Sequence, residues 1–122
     1  MTSIKNKFGL QSVRSVDLDQ LAKESDLLFV LAPGGATTKH IINEEFLRKM
    51  KKTGVLINPS RGTLVNSYDL AKALKEGWIW GAGLDVVEGE PNIPMDHPLV
   101  KEPRLAYCSF KSALIFTNVL DA

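Results

Sequence analysis

The chain has 122 residues, a formal net charge of +1 and 44% hydrophobic residues, so it amounts to one domain with enough apolar content for a core. It carries no basic block or stripe, which argues against nucleic acid as a partner. Its longest apolar run, residues 27–32, is too short to span a bilayer, and its single cysteine, Cys108, leaves no internal disulfide.

Residues 1–14 are mixed and carry little pattern. Residues 17–25 predict a short helix, with Ser15 or Asp17 as N-cap and Leu18, Leu21 and Ala22 facing inward. Residues 27–32 form a continuous apolar run stopped by Pro33-Gly34-Gly35. A strand apolar on both faces is expected inside a covered parallel sheet. Asn43 caps a predicted helix over residues 44–52, with acids in its first turn, bases in its last, and Phe46, Leu47 and Met50 as its inner stripe. Val55-Leu56-Ile57 predicts a second buried strand. Asn66 or Ser67 caps a third helix through Glu76, with Gly77 as its stop. Residues 78–87 predict a third strand, residues 105–108 a last short one, and residues 112–122 have helical composition with weak periodicity. The proline-rich segment at residues 91–99 blocks helix and strand alike. No internal repeat is present. Alternation of helix and strand implies right-handed crossovers and a parallel α/β sheet.

Three charged residues stand at predicted strand ends in apolar surroundings: Arg61, Asp85 and Glu90. Arg61 follows Ile57-Asn58-Pro59-Ser60, and a guanidinium there can clamp a carboxylate with two parallel hydrogen bonds at any working pH. Taken alone, an Arg in such a place more often ties down a loop. Asp85 ends Gly81-Ala82-Gly83-Leu84, where capping a loop is the common job of an Asp. Glu90 precedes Pro91, and a lone Glu is usually solvated. No Gly-x-Gly-x-x-Gly opens a helix, so Gly34-Gly35 and Gly81-x-Gly83 are weak as phosphate motifs. His40 is expected to be exposed, and His97 to have no chemical role.

Together, Asn-Pro-Ser-Arg-Gly at 58–62, Gly-Leu-Asp-Val at 83–86 and Glu-Pro at 90–91 resemble the C-terminal half of the NAD(P)-binding domain of D-2-hydroxyacid dehydrogenases, in particular the glyoxylate/hydroxypyruvate reductase branch. The resemblance covers about residues 16–104. It implies a partial Rossmann-like, doubly wound parallel sheet in a three-layer α/β/α arrangement, with NAD or NADP as cofactor and a small 2-oxo or 2-hydroxy acid as substrate. By resemblance, Arg61 binds the substrate's carboxylate and carbonyl. Pro59 and Ser60 contact the nicotinamide half of the cofactor. The loop that starts at Pro33 runs beside the adenosine and ribose, and Asp85 approaches the carboxamide. Glu90 would hydrogen-bond the acid/base His and raise its pKa.

The resemblance breaks after Arg104. Ser109 and Phe110 stand where the family has Pro and the acid/base His. Phe110 cannot move a proton, and losing general-acid help costs about 10²–10⁴-fold. The glycine turn, the ribose-gripping acid and the substrate domain are expected before this sequence and are not in it. The chain alone is therefore expected to be inactive. It is also expected to self-associate through the apolar edge at residues 27–32. A non-catalytic nucleotide-sensing or protein-binding relative, or a fragment without function, remain alternatives. With no apolar run at its start and one cysteine, the chain is expected in the cytoplasm.

Overall fold

The computed structural model describes residues 14–89 and 96–107. Among these described residues three α-helices and four strands follow in the order α1 (Leu18–Glu24), β1 (Leu27–Phe29), α2 (Glu44–Lys49), β2 (Val55–Asn58), α3 (Ser67–Glu76), β3 (Gly81–Leu84) and β4 (Leu105–Tyr107). The strands form one sheet in the order β1-β2-β3-β4, and every pairing is parallel. Helix α1 packs on α2 and α2 on α3, so the three helices make one layer. The architecture is a parallel α/β sheet of Rossmann type. A second helical layer is not among the described residues.

Each helix starts where a side chain satisfies free backbone N–H groups. Asp17 Oδ1 accepts from the Gln20 N–H at 2.8 Å, Asn43 Oδ1 from Phe46 at 3.1 Å, and Asn66 Oδ1 from both Tyr68 and Asp69 at 3.1 Å. Such caps contribute about 1 kcal/mol each. Helix α2 is shorter than the 44–52 expected from sequence. Met50 turns into extended backbone (φ −70°, ψ 157°) and buries its side chain, so the lysines that follow lie outside the helix.

Helix α3 ends on Gly77, whose φ of 75° places it in the left-handed region that favours glycine. The N–H of Trp78 then returns to Ala73 O, so residues 78–80 belong to the helix exit and β3 begins at Gly81 instead of residue 78. Trp78 lies under the Arg48 guanidinium, 3.9 Å from the ring centroid, and joins the ends of α2 and α3.

The core between helices and sheet holds Leu47, Leu56, Leu64, Leu70, Leu74 and Ile79, all fully buried. Each contributes roughly 1.5–3 kcal/mol relative to exposure, an upper estimate. At the surface, Lys49 of α2 reaches Asp19 of α1. Hydrogen bonds from Lys23 and then Lys49 lower the Asp19 pKa from 3.8 to about 2.

Among the described residues strand β1 lies at the end of the sheet, the edge expected for this chain, but it is covered on one face and open on the other. Leu28 and Val30 face the core, whereas Leu27, Phe29 and Leu31 are 54%, 53% and 71% exposed. An all-apolar run shows no period, so the sequence alone does not reveal which face is covered.

Candidate functional site

Because β1, β2 and β3 are parallel, the residues that follow them emerge on one rim of the sheet, the carboxyl rim where ligands bind in open α/β folds. Pro33, Ser60, Arg61 and Asp85 all lie there. Gly54 and Trp78, which precede β2 and β3, lie on the opposite rim.

Asn58, the last residue of β2, organises this rim. It is fully buried, yet every polar group has a partner. Its Oδ1 accepts from the Ser60 N–H at 3.1 Å and its Nδ2 donates to Arg61 O at 2.9 Å. Its own carbonyl accepts from the Asp85 N–H at 3.1 Å. One side chain therefore folds the Pro59–Ser60 turn, while its backbone anchors the start of the loop after β3. Ser60 Oγ adds a bond to Ala32 O at 3.3 Å, which ties the turn to the loop after β1.

Arg61 is exposed and makes no ion pair among the described residues. A Cβ placed on Gly34 would lie 3.3 Å from Arg61 Cγ, so the stem of Arg61 runs close over a residue with no side chain. Leu31, Ala32, Pro33, Gly34, Ser60 and Arg61 line an open cleft of about 800 Å³. Its floor is made of small residues with more polar than apolar surface, and a guanidinium with no ion pair among the described residues stands at its edge. Such a cleft can take a flat, partly apolar group beside an anion.

Immediately after Arg61, the backbone enters a single 3-10 turn, Gly62–Leu64. Here glycine is obligatory. A Cβ on Gly62 would meet Glu88 N and Val87 C at 2.4 Å each. The segment from His40 to Ile42 runs alongside 63–65, with the His40 N–H donated to Thr63 O at 2.8 Å and the Ile42 N–H to Leu64 O at 3.0 Å.

His40 departs from its expected exposed state. Its side chain is about one-third exposed, and Nε2 lies 2.6 Å from Glu88 Oε2. Its φ of 53° is in the left-handed region, a conformation that costs roughly 1–2 kcal/mol for a residue with a Cβ. Neither residue of this pair figures among the sequence-based candidates, and 48 positions separate them, so no local pattern announces the contact. The role of Asn58 had a signal: one amide at the end of an apolar strand, just before a proline.

His97 is buried, accepts the Leu99 N–H on Nδ1 at 3.1 Å, and packs its ring against Tyr68 with centroids 4.5 Å apart. These contacts are structural. Asp85 is half-buried next to the Asn58 carbonyl. Glu90 and Phe110 lie outside the described residues. Among the described residues no group of His, Cys, Asp and Glu could hold a metal, and no helix is long and apolar enough to cross a membrane.

Residues 2–110 match the family described as D-isomer specific 2-hydroxyacid dehydrogenase, NAD binding domain. A glyoxylate reductase of Thermofilum pendens is 52% identical over 92 residues, which cover 75% of this chain and 27% of that protein. Among solved structures, a glyoxylate reductase from Paecilomyes thermophila superposes with a TM-score of 0.69 at 37% identity, covering 75% of this chain and 27% of that one. The NAD complex of a D-isomer specific 2-hydroxyacid dehydrogenase from Lactobacillus delbrueckii ssp. bulgaricus gives a TM-score of 0.67 at 34% identity, covering 75% and 32%. The chain thus spans about a quarter to a third of the length of these relatives.

Proposed function

This chain belongs to the NAD-binding domain family of the D-isomer-specific 2-hydroxyacid dehydrogenases, and on that premise we propose that it is the C-terminal half of such a domain, from a protein that reduces a small 2-oxo acid of the glyoxylate type. Its cleft residues fit a nicotinamide cofactor, NAD or NADP. Pro33 and Gly34 leave room for a flat ring, Ser60 offers a polar edge beside it, and Asp85 follows β3 on the same rim. When bound, the nicotinamide would supply the hydride.

The observation that carries this reading is Arg61: a guanidinium with no ion pair among the described residues, stretched over Gly34 at the edge of the cleft. Its five N–H donors can grip a carboxylate in two parallel bonds and still reach a neighbouring carbonyl oxygen. That grip orients a 2-oxo acid and draws electron density toward the carbonyl oxygen as charge develops there. Asp85, held by its own N–H to Asn58, accepts from a carboxamide. Pro59 closes the turn that carries Ser60 and Arg61. Glu90 is assigned to orient an acid/base imidazole. Phe110 cannot be that acid, so this chain alone does not complete the proton transfer.

Oxalate tests the assignment, because it presents the carboxylate of a 2-oxo acid with a second oxygen pair in place of the carbonyl. Titration of the full chain should shift the Arg61 Nε–Hε resonance saturably. Arg61→Ala should abolish binding, and Arg61→Lys should weaken it about tenfold, since an ammonium cannot form the two-pronged contact. An unmoved Arg61 signal at high oxalate would sink the reading.

A further inference from the structure

Resting on the reading of Arg61 as the carboxylate anchor, we infer that His40 and Glu88 form a clip that positions Arg61, and that they are positioning residues rather than catalytic ones. Three contacts close a ring around the Arg61 turn. The His40 N–H is donated to Thr63 O at 2.8 Å, two residues past Arg61. The His40 ring holds the Glu88 carboxylate at 2.6 Å. The peptide joining Val87 to Glu88 lies directly against Gly62, one residue past Arg61. The circuit therefore runs from the loop after β1, through the loop after β3, and back to the loop after β2.

Without the ring contact, this circuit opens. Gly62 packs against the peptide joining Val87 to Glu88, and the Asp85 N–H ties the start of the same loop to Asn58 O. The His40–Glu88 contact holds Glu88 against the strip formed by residues 40–42 and 63–65. His40 adopts a left-handed φ of 53°, and that backbone turn accompanies an N–H aimed at Thr63 and a ring aimed at Glu88. A histidine with no task there would be replaceable by glycine at a gain. The consequence falls on Arg61 because its stem must stay over Gly34, which sits on the same β1 loop that His40 ends.

The test reads the Arg61–Gly34 contact itself. In the full chain, the Arg61 Hγ to Gly34 Hα nuclear Overhauser effect should be present. It should vanish in His40→Gly, which suits the left-handed backbone while removing the ring, and in Glu88→Ala. It should persist in Glu88→Gln, whose amide oxygen still accepts from Nε2. In the two disabling variants, the amide of residue 40 should exchange with solvent roughly tenfold faster, while amides within α3 keep their protection and report an intact fold. If His40→Gly fails to fold, the Glu88→Ala and Glu88→Gln pair decides alone. Persistence of the contact in Glu88→Ala, or its loss in Glu88→Gln to the same degree, overturns the clip. Oxalate is titrated into the same samples. A silent Arg61 signal in the unaltered chain removes the carboxylate reading, whereas the Arg61–Gly34 contact still settles the clip.

Discussion

The Cα of Gly62 lies against the peptide that joins Val87 to Glu88, so close that any Cβ at position 62 would sit 2.4 Å from Glu88 N. Neither partner is a side chain tip that can swing aside; both are backbone. Gly62→Ala must therefore push the loop after β3 away from the Arg61 turn. Overpacking of this kind costs about 1–3 kcal/mol. Urea unfolding of Gly62→Ala should show that loss, and Gly89→Ala should not show a clash, since a Cβ there meets nothing within 4 Å and only its φ of 94° resists substitution. Equal midpoints for Gly62→Ala and the unaltered chain would mean that the two loops are not in contact.

Asn58 gives a second test. Asn58→Leu keeps the branched shape, adds some volume, and strips the Ser60 N–H and the Arg61 carbonyl of their partners. Leaving buried polar groups unpaired costs about 1–3 kcal/mol each. Asn58→Asp retains the acceptor for Ser60 but loses the donor to Arg61 and buries a charge, so it should be no better than Asn58→Leu. Thermal unfolding should place both variants clearly below the parent. Parent-like stability in Asn58→Leu would show that water replaces the amide without cost.

The readable parts of this protein were those encoded locally. Asp17, Asn43 and Asn66 cap as their residue type predicts, and Gly77 ends α3, because each acts within four residues of itself. The rim positions of Arg61 and Asp85 followed from strand order alone. Strand ends were less legible: β3 starts at Gly81 because the Trp78 N–H is spent on Ala73 O, a tertiary detail that the apolar run conceals. The His40–Glu88 contact was not legible at all, since it is made by folding two distant loops together, and a solvated His or Glu looks the same in sequence.

Stability should depend on acid through Asp19. Its pKa in the folded chain is lowered from 3.8 to about 2, first by Lys23 and then by Lys49. A depressed carboxyl pKa means that folding favours the ionised form. The contribution is fully present above the ordinary value and disappears as pH falls through the folded one. Asp19→Asn should thus unfold at lower urea than the parent near pH 7, and the two midpoints should converge between about pH 4 and about pH 2. Glu44 is shifted in the same direction by Arg48 and titrates in both proteins, so it cancels from the comparison. A gap that stays constant down to the lowest pH would assign the effect to packing rather than charge.

The β1 edge carries the last prediction. Among the described residues β1 pairs with β2 on one side only, and Leu27, Phe29 and Leu31 present three apolar side chains on its exposed face. A free strand edge next to an apolar strip is a template for pairing with another chain. The chain as given should therefore show an apparent mass that rises with concentration in light scattering. Phe29→Lys puts a charge on an exposed position, 53% accessible, and should lower that association while leaving the circular dichroism spectrum unchanged. Leu28→Lys, one residue away but 5% exposed, would place an unpaired ammonium in the core and should unfold the chain. The two variants differ only in the face they occupy, so the contrast isolates the edge. A parent of constant mass across the series would show that another part of the protein already covers β1.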